Sequence, residues 1–319
     1  MDIEHFFITP QKTNYKNSFM DIPIPITIDE SKILLYGINL DITTSFGKGT
    51  SRGPEAIRVA SSQAIETYML DTDCEVYDFI KIFDLGDLKI PNQLLEKNNI
   101  KKILDNIDKS VNILNNIIRK KNKIPLIIGG EHTISYFLIK SIANENPLII
   151  HFDAHRDMKR EYQGLKLCHT TPFYHLINDG YIKGKDIIQI GIRQTDKNEN
   201  DFANKNSIKS FTGWEVNQDI GKIIKYINKK TKNRKIYISL DIDVYDIGYV
   251  PCTGTPEPFG LTPFQLIEII KSINQNSKLI GLDVVEVALK NNDYREAILA
   301  TETIYRILYY TYKNKILKK

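Results

Sequence analysis

The stretch Pro147-Leu148-Ile149-Ile150-His151-Phe152-Asp153-Ala154-His155-Arg156-Asp157 changes character half-way along. It begins apolar without alternation, as a strand covered on both faces does, and then turns to carboxylates and imidazoles. In extended backbone the side chains at i, i+2 and i+4 share one side, so Asp153, His155 and Asp157 gather three hard or borderline metal donors where a strand ends. Five of the six histidines lie between residues 132 and 175. The spacing is that of metal ligands, and it points to a metal enzyme.

The same arrangement, an apolar run followed by polar residues, recurs on either side. Strand-like runs occupy residues 32–37, 80–85, 124–129, 148–152, 186–192, 208–212, 235–241 and 278–285. Helical periodicity fills 54–69, 98–121, 133–144, 219–232, 262–275 and 295–313, with Asp, Thr or Pro at several starts. Alternating strands and helices imply right-handed crossovers, hence an α/β fold of three layers, α/β/α, around a mainly parallel central sheet of about eight strands. No linker, repeat or low-complexity stretch divides the chain. The reading is one domain over residues 1–319, with 1–30 an irregular N-terminal extension. In such a sheet, ligands gather beyond the carboxyl ends of the strands.

The bulk numbers restrict the function. With 43 Lys and Arg against 39 Asp and Glu, the net charge of +4 calls for no nucleic-acid partner. The basic end from Tyr312 to Lys319 reads as a solvated helix terminus. No run is long enough to span a bilayer and the start lacks the features of a signal peptide, so the expectation is a cytoplasmic protein with no membrane partner. Cys74, Cys168 and Cys252 are odd in number and widely spaced, which argues for reduced thiols.

Three polar motifs follow three of the strands: Gly129-Gly130-Glu131-His132, the run from His151 to Asp157, and Asp241-Ile242-Asp243. Pooled, His132, Asp153, His155, Asp157, Asp241 and Asp243 offer two imidazoles and four carboxylates, a mixed environment suited to Mn²⁺ or a similar divalent ion. Four carboxylates together repel unless cations neutralise them. One ion leaves the site over-charged, so two Mn²⁺ per chain bridged by carboxylates are the economical solution. Singly, an Asp-x-Asp is more often a turn or cap, and a His after a strand a structural residue. The joint occurrence sets those readings aside.

These motifs, with Ser239-Leu240-Asp241-Ile242-Asp243-Val244-Tyr245-Asp246 and Cys252-Thr253-Gly254-Thr255-Pro256-Glu257-Pro258, resemble the signatures of the ureohydrolases, the family of arginases and agmatinases. Residues 47–58 are similar to that family's turn into its first helix, and the likeness runs over about residues 32–310, in family order. The resemblance implies hydrolysis of a guanidinium or amidine group by water activated between two Mn²⁺ ions. It implies one ion on His132, Asp157, Asp153 and Asp241 and the other on His155, Asp153, Asp241 and Asp243, with Asp153 and Asp241 bridging. Asp157 counts among the catalytic groups. Glu286 matches the carboxylate that receives the guanidinium, and Thr255 the hydroxyl that assists it. His169 matches a mobile proton shuttle for the leaving amine, which needs a pKa near neutral. His175, in helical surroundings, reads as core. His151 is expected to point opposite to Asp153 and to support it from outside the ligand set.

The substrate tail is more open. The run Asp157-Met158-Lys159-Arg160-Glu161-Tyr162-Gln163-Gly164 looks more like short microbial agmatinases than arginases, and Glu161 is an acceptor for an ammonium tail. Lys159, Arg160 and Lys166 argue for a carboxylate tail instead. The resemblance therefore implies a small guanidino substrate, agmatine ahead of arginine, guanidinobutyrate or formiminoglutamate, in a trimeric or hexameric homo-oligomer. Two other classes stay in view. A single-zinc deacylase would need a tandem His pair that the chain lacks, and a non-catalytic metal-binding relative would keep the ligands without turnover.

Overall fold

The computed structural model describes residues 3–8, 18–21, 27–96 and 99–316. Each apolar run forms a strand: β1 (Phe7–Ile8), β2 (Ile33–Ile38), β3 (Ile82–Leu88), β4 (Ile124–Gly129), β5 (Leu148–Phe152), β6 (Ile187–Ile192), β7 (Lys209–Thr212), β8 (Lys235–Asp241) and β9 (Lys278–Val285). Among the described residues they make one nine-stranded sheet in the order β1-β3-β2-β4-β9-β8-β5-β6-β7. All neighbours run parallel except β1, which pairs antiparallel with β3 through Phe7↔Leu88 and Ile8↔Asp87.

The strands lack an apolar and polar alternation because both faces are covered. Leu148, Ile150 and Phe152 join one apolar cluster and Ile149 the other. The helices divide accordingly. Of α1 (Gly53–Val59), α2 (Ile100–Lys120), α3 (Ile134–Ile142), α4 (Pro172–Asn178), α5 (Lys197–Lys205), α6 (Ile220–Thr231), α7 (Pro263–Lys271) and α8 (Arg295–Ile316), the first and the last three pack on one face. Helices α2 to α5 pack on the other, giving three layers. No helix among the described residues is long and apolar enough to cross a membrane.

Differences from the sequence reading have local causes. The ninth strand comes from the segment expected to be irregular: Phe7 is buried while Ile8 faces out, and two residues carry no readable period. Residues 9–17 and 22–26 of that segment lie outside the described residues, as does Asn98 at the start of one expected helix. The helix expected over 54–69 ends early. Ser61 and Ser62 both donate to the Arg58 carbonyl (2.9 and 2.8 Å), the last turn widens over Ala60–Ala64, and the chain turns into a hairpin of Tyr68–Met69 and Cys74–Glu75. Helix α4 is only seven residues long and α5 carries just Phe202 and Ala203 as apolar residues, so neither shows a period; α5 opens on a capping box of Asp196 and Glu199.

One buried ion cluster ties α1 to the strand ends. The Arg58 side chain, 1% exposed, holds Asp84 through Nε (2.8 Å) and Nη2 (3.0 Å) and Asp87 through Nη1 (2.6 Å). Asp87 also accepts from Asn39, where β2 leaves for the loop that borders the site. Removing one partner strands the others without water. We expect Arg58→Met to lower unfolding free energy by about 3–5 kcal/mol in urea denaturation, and an unchanged midpoint would contradict this account.

Candidate metal centre

Strands β4, β9, β8 and β5 are consecutive neighbours, so the residues after their carboxyl ends meet although they lie up to 154 positions apart. His132 follows β4, Glu286 follows β9, Asp243 follows Asp241 at the end of β8, and Asp153, His155 and Asp157 follow β5. The backbone is drawn in tightly. A Cβ on Gly130 would stand 1.9 Å from the Leu40 carbonyl oxygen, which takes the Glu131 N–H at 2.8 Å, so only glycine fits before the Glu131-His132 pair. Asp157 (φ 52°) and Glu286 (φ 62°) both hold left-handed backbone, a conformation costly for residues with side chains and one that surrounding structure must impose.

The structure brings all six expected ligands together. His132 Nδ1 faces Asp157 Oδ2 at 2.9 Å and Asp153 Oδ2 and Asp241 Oδ2 at 3.2 Å. It is buried and aligned with none of them as a hydrogen bond. Its other nitrogen, Nε2, lies 3.1 Å from Ser239 Oγ, whose own proton goes to Asp283 at 2.8 Å, so in the neutral ring the proton sits on Nε2 and Nδ1 is the atom free to bind a metal. His155 Nδ1 faces Asp243 Oδ2 at 3.0 Å and Asp153 Oδ1 at 3.5 Å. Asp153 thus turns one oxygen to each imidazole. An orphaned nitrogen among carboxylate oxygens fits a divalent cation.

The charges tell the same story. Burial and the neighbouring charge of Asp153 push Asp157 up to about 7, and burial with Asp243 and Asp153 holds Asp241 well above the carboxylate range. Burial works against charge on both imidazoles, yet the carboxylates around them hold His132 and His155 well above the usual range. Asp153 resists burial through His151, His132 and His155 and stays well below its usual value. Protons therefore occupy places that cations would take.

The other expected residues divide. Glu286 is buried, held well above its usual value by that burial, and accepts the His132 backbone N–H at 2.7 Å. Among the described residues the Thr255 hydroxyl makes no hydrogen bond and so stands unengaged, while the Thr253 hydroxyl donates to the Glu286 carbonyl at 2.9 Å. Glu296, unassigned from sequence, accepts the Cys252 and Thr253 N–H groups and sets that turn. His169 lies beside the site, with Ser45 Oγ 3.2 Å from Nε2 and Thr43 Oγ1 3.4 Å from Nδ1. Burial, then the charges of His155 and His132, push it down to about 4, below the near-neutral value the sequence suggested. Glu161 is exposed and lines a cleft of about 350 Å³ with Lys159, and none of the six metal-binding candidates lines that cleft. His175 is buried and donates to the Arg160 carbonyl.

His151 departs from its expected direction. Residues 151 and 153 are two apart and share a face, and His151 Nε2 meets Asp153 Oδ2 at 2.7 Å. Sequence reading also left Glu131 and Glu257 without roles. Glu131 is fully buried, takes the Ile42 and Thr43 N–H groups at 2.7 Å, and receives the Thr43 hydroxyl at 2.6 Å, which fixes the loop against His169. Glu257 Oε1 lies 3.6 Å from His155 Nε2. The only hint of either was its place in a quoted motif.

Known proteins with this combination decide the relationship. The Arginase family model matches residues 31–309. The chain belongs to the arginase family. It is 34% identical to the agmatinase of Bacillus cereus over 82% of this chain and 85% of that one. It is 32% identical to the guanidinobutyrase of Pseudomonas aeruginosa, over 83% and 81%. The crystal structure of the agmatine ureohydrolase of Thermoplasma volcanium superposes with a TM-score of 0.78 at 25% identity, over 90% of this chain and 92% of that one. Arginase-family amidinohydrolases break carbon–nitrogen bonds and use a binuclear metal site, and the protein is a ureohydrolase close to the agmatinases.

Because raised carboxylates and imidazoles carry protons in the metal-free state, divalent cations must displace them. Titrating metal-free protein with Mn²⁺ at pH 7 in buffers of different ionisation enthalpy is expected to show net proton release. No dependence on buffer would refute this reading.

Proposed function

We propose that the protein is a binuclear-manganese hydrolase of a guanidino substrate, taking agmatine to putrescine and urea, with the whole chain acting as one ureohydrolase domain. The observation that carries it is Asp153, whose two oxygens face different imidazoles in a pocket of four carboxylates. In this reading His132, Asp157, Asp153 and Asp241 hold one Mn²⁺, and His155, Asp153, Asp241 and Asp243 the other. Bound there, two such ions acidify a water and stabilise negative charge developing on the substrate.

The residues of the chain do the rest. Glu286 receives the N–H fork of the guanidinium, and the cation's arrival favours its ionised form. A C–O bond forms from water to the guanidinium carbon, the C–N bond to the aminobutyl chain breaks, and His169 passes a proton to the leaving nitrogen. Its neutral resting state suits a relay that takes up a proton only as one is released. The tail preference rests on charge. Lys159, which would have favoured a carboxylate tail, is already paired with Asp196 and with Glu199 at 3.2 Å, whereas Glu257 adds negative charge beside His155. A cytoplasmic location and a trimeric or hexameric assembly belong to the same proposal.

The test is urea release from Mn²⁺-loaded protein across agmatine, arginine, guanidinobutyrate and formiminoglutamate, with agmatine expected to lead. Activity on arginine alone would sink the assignment, and two bound Mn²⁺ with no urea from any of them would mark a non-catalytic relative. Asp153→Ala and Asp241→Ala are expected to lose both turnover and metal. His169→Ala should keep its metal and turn over about 10²–10⁴-fold more slowly, and normal turnover would remove His169 from the mechanism.

A further inference from the structure

Between two ligand positions stands a charge that the chemistry leaves unused. Arg156 turns away from the cluster, is 7% exposed, and among the described residues has no carboxylate within ion-pair distance. Its Nη1 donates to Gln189 Oε1 (2.9 Å) and Ser210 Oγ (2.8 Å), and its Nη2 to Asn200 Oδ1 (2.9 Å). A guanidinium has donors only, so the Gln189 atom facing it must be the carbonyl oxygen. The amide nitrogen then faces the other way. It donates to the Arg156 carbonyl at 3.0 Å and lies 3.1 Å from His151 Nδ1. Since that nitrogen cannot accept, His151 Nδ1 carries the lone pair and the ring proton is on Nε2, directed at Asp153 Oδ2.

The register of the sheet builds this line of contacts. His151 pairs with Gln189 across β5 and β6, and Gln189 with Ser210 across β6 and β7. On the other side His151 pairs with Ser239, and Ser239 with Asp283. One polar rung therefore crosses five strands, and all but Ser210 of its members are fully buried. Phe173 stacks on the His151 ring at 3.9 Å and fixes its plane.

By distance alone His151 qualifies as a ligand, because its donor atom lies within 4.8 Å of those of His132 and Asp153. We propose that Arg156, acting through the orientation of the Gln189 amide, locks His151 as an Nε2–H donor to Asp153, which excludes His151 from the metal and leaves it to orient the shared carboxylate. Arg156, Gln189 and His151 are positioning residues, and the inference rests on the reading of Asp153 as a bridging ligand. A donor to one oxygen of a bridging carboxylate fixes the rotation of the carboxylate and so the separation of the two sites it serves.

Pulsed EPR on Mn²⁺-loaded protein with ¹⁵N-histidine counts coordinated imidazoles. Two are expected in the native protein, and a third would overturn the exclusion while leaving the metal centre standing. No Mn²⁺ binding at all would overturn the centre and this inference together. His151→Phe and Gln189→Met should each weaken Mn²⁺ binding by about 10- to 100-fold while keeping two imidazole couplings, and the double variant should be no weaker than the worse single one. Additive losses, or unchanged affinity, would contradict the relay. If either variant fails to fold, the imidazole count in the native protein still decides.

Discussion

Carboxylates of Asp153, Asp157, Asp241 and Asp243 converge where water is excluded, and their mutual repulsion is the condition to which the surroundings answer. A buried arginine, Arg156, and a half-buried one, Arg193, stand nearby, yet neither forms an ion pair with them. Arg156 bonds only neutral side-chain oxygens, and Arg193 gives its donors to the carbonyls of Gly191, Asp243, Val244, Tyr245, Glu257 and Pro258. The negative charge is kept available for mobile cations, and the same arginines stiffen the segments that carry it. Had either guanidinium reached a carboxylate, it would have competed with metal for the same oxygens.

The two imidazoles are treated differently. His132 is closed off, with Nε2 on a serine backed by the buried Asp283, which Tyr237 and Ser135 also hold at 2.6 and 3.0 Å. His155 is a quarter exposed, and among the described residues its outer nitrogen faces the Glu257 carboxylate. One half of the centre is therefore part of the sheet's interior and the other part of its mouth. Left-handed backbone at Asp157 and Glu286 is sustained by that packing, since the Glu286 N–H is tied to the Gly130 carbonyl at 2.9 Å and the Asp157 carbonyl to Phe173 N–H at 3.1 Å.

All eight strands read from sequence formed, because each was a short apolar run ended by polar residues, and burial on both faces leaves that signature. Their spatial order was not legible. The adjacency of β4, β9, β8 and β5 comes from crossovers, and only the chemistry of the motifs hinted that the ends met. Residues that act through geometry were harder still. Gln189, Ser239 and Glu131 are ordinary polar residues in sequence, and their meaning arises from register and from a single facing atom. The reversed expectation for His151 came from misjudging a period of two, and Glu296, which ties the turn before Thr255 from 41 positions downstream, carried no signal in the sequence.

The two-residue strand β1 has a bearing beyond the site. A parallel sheet grows by accepting further strands, and the open side of β3 would offer its backbone groups to any extended chain. Among the described residues the antiparallel pair Phe7–Ile8 borders that side at Leu88 and Asp87, and no further strand lies beyond it in the described sheet. At the far side the four-residue β7 ends the sheet with Lys209 folded over the Phe211 ring at 4.3 Å. The described sheet thus ends on two short strands, one of them bearing a cation, around an interior that is apolar apart from the polar rung through His151, and short borders give other chains little length to pair with.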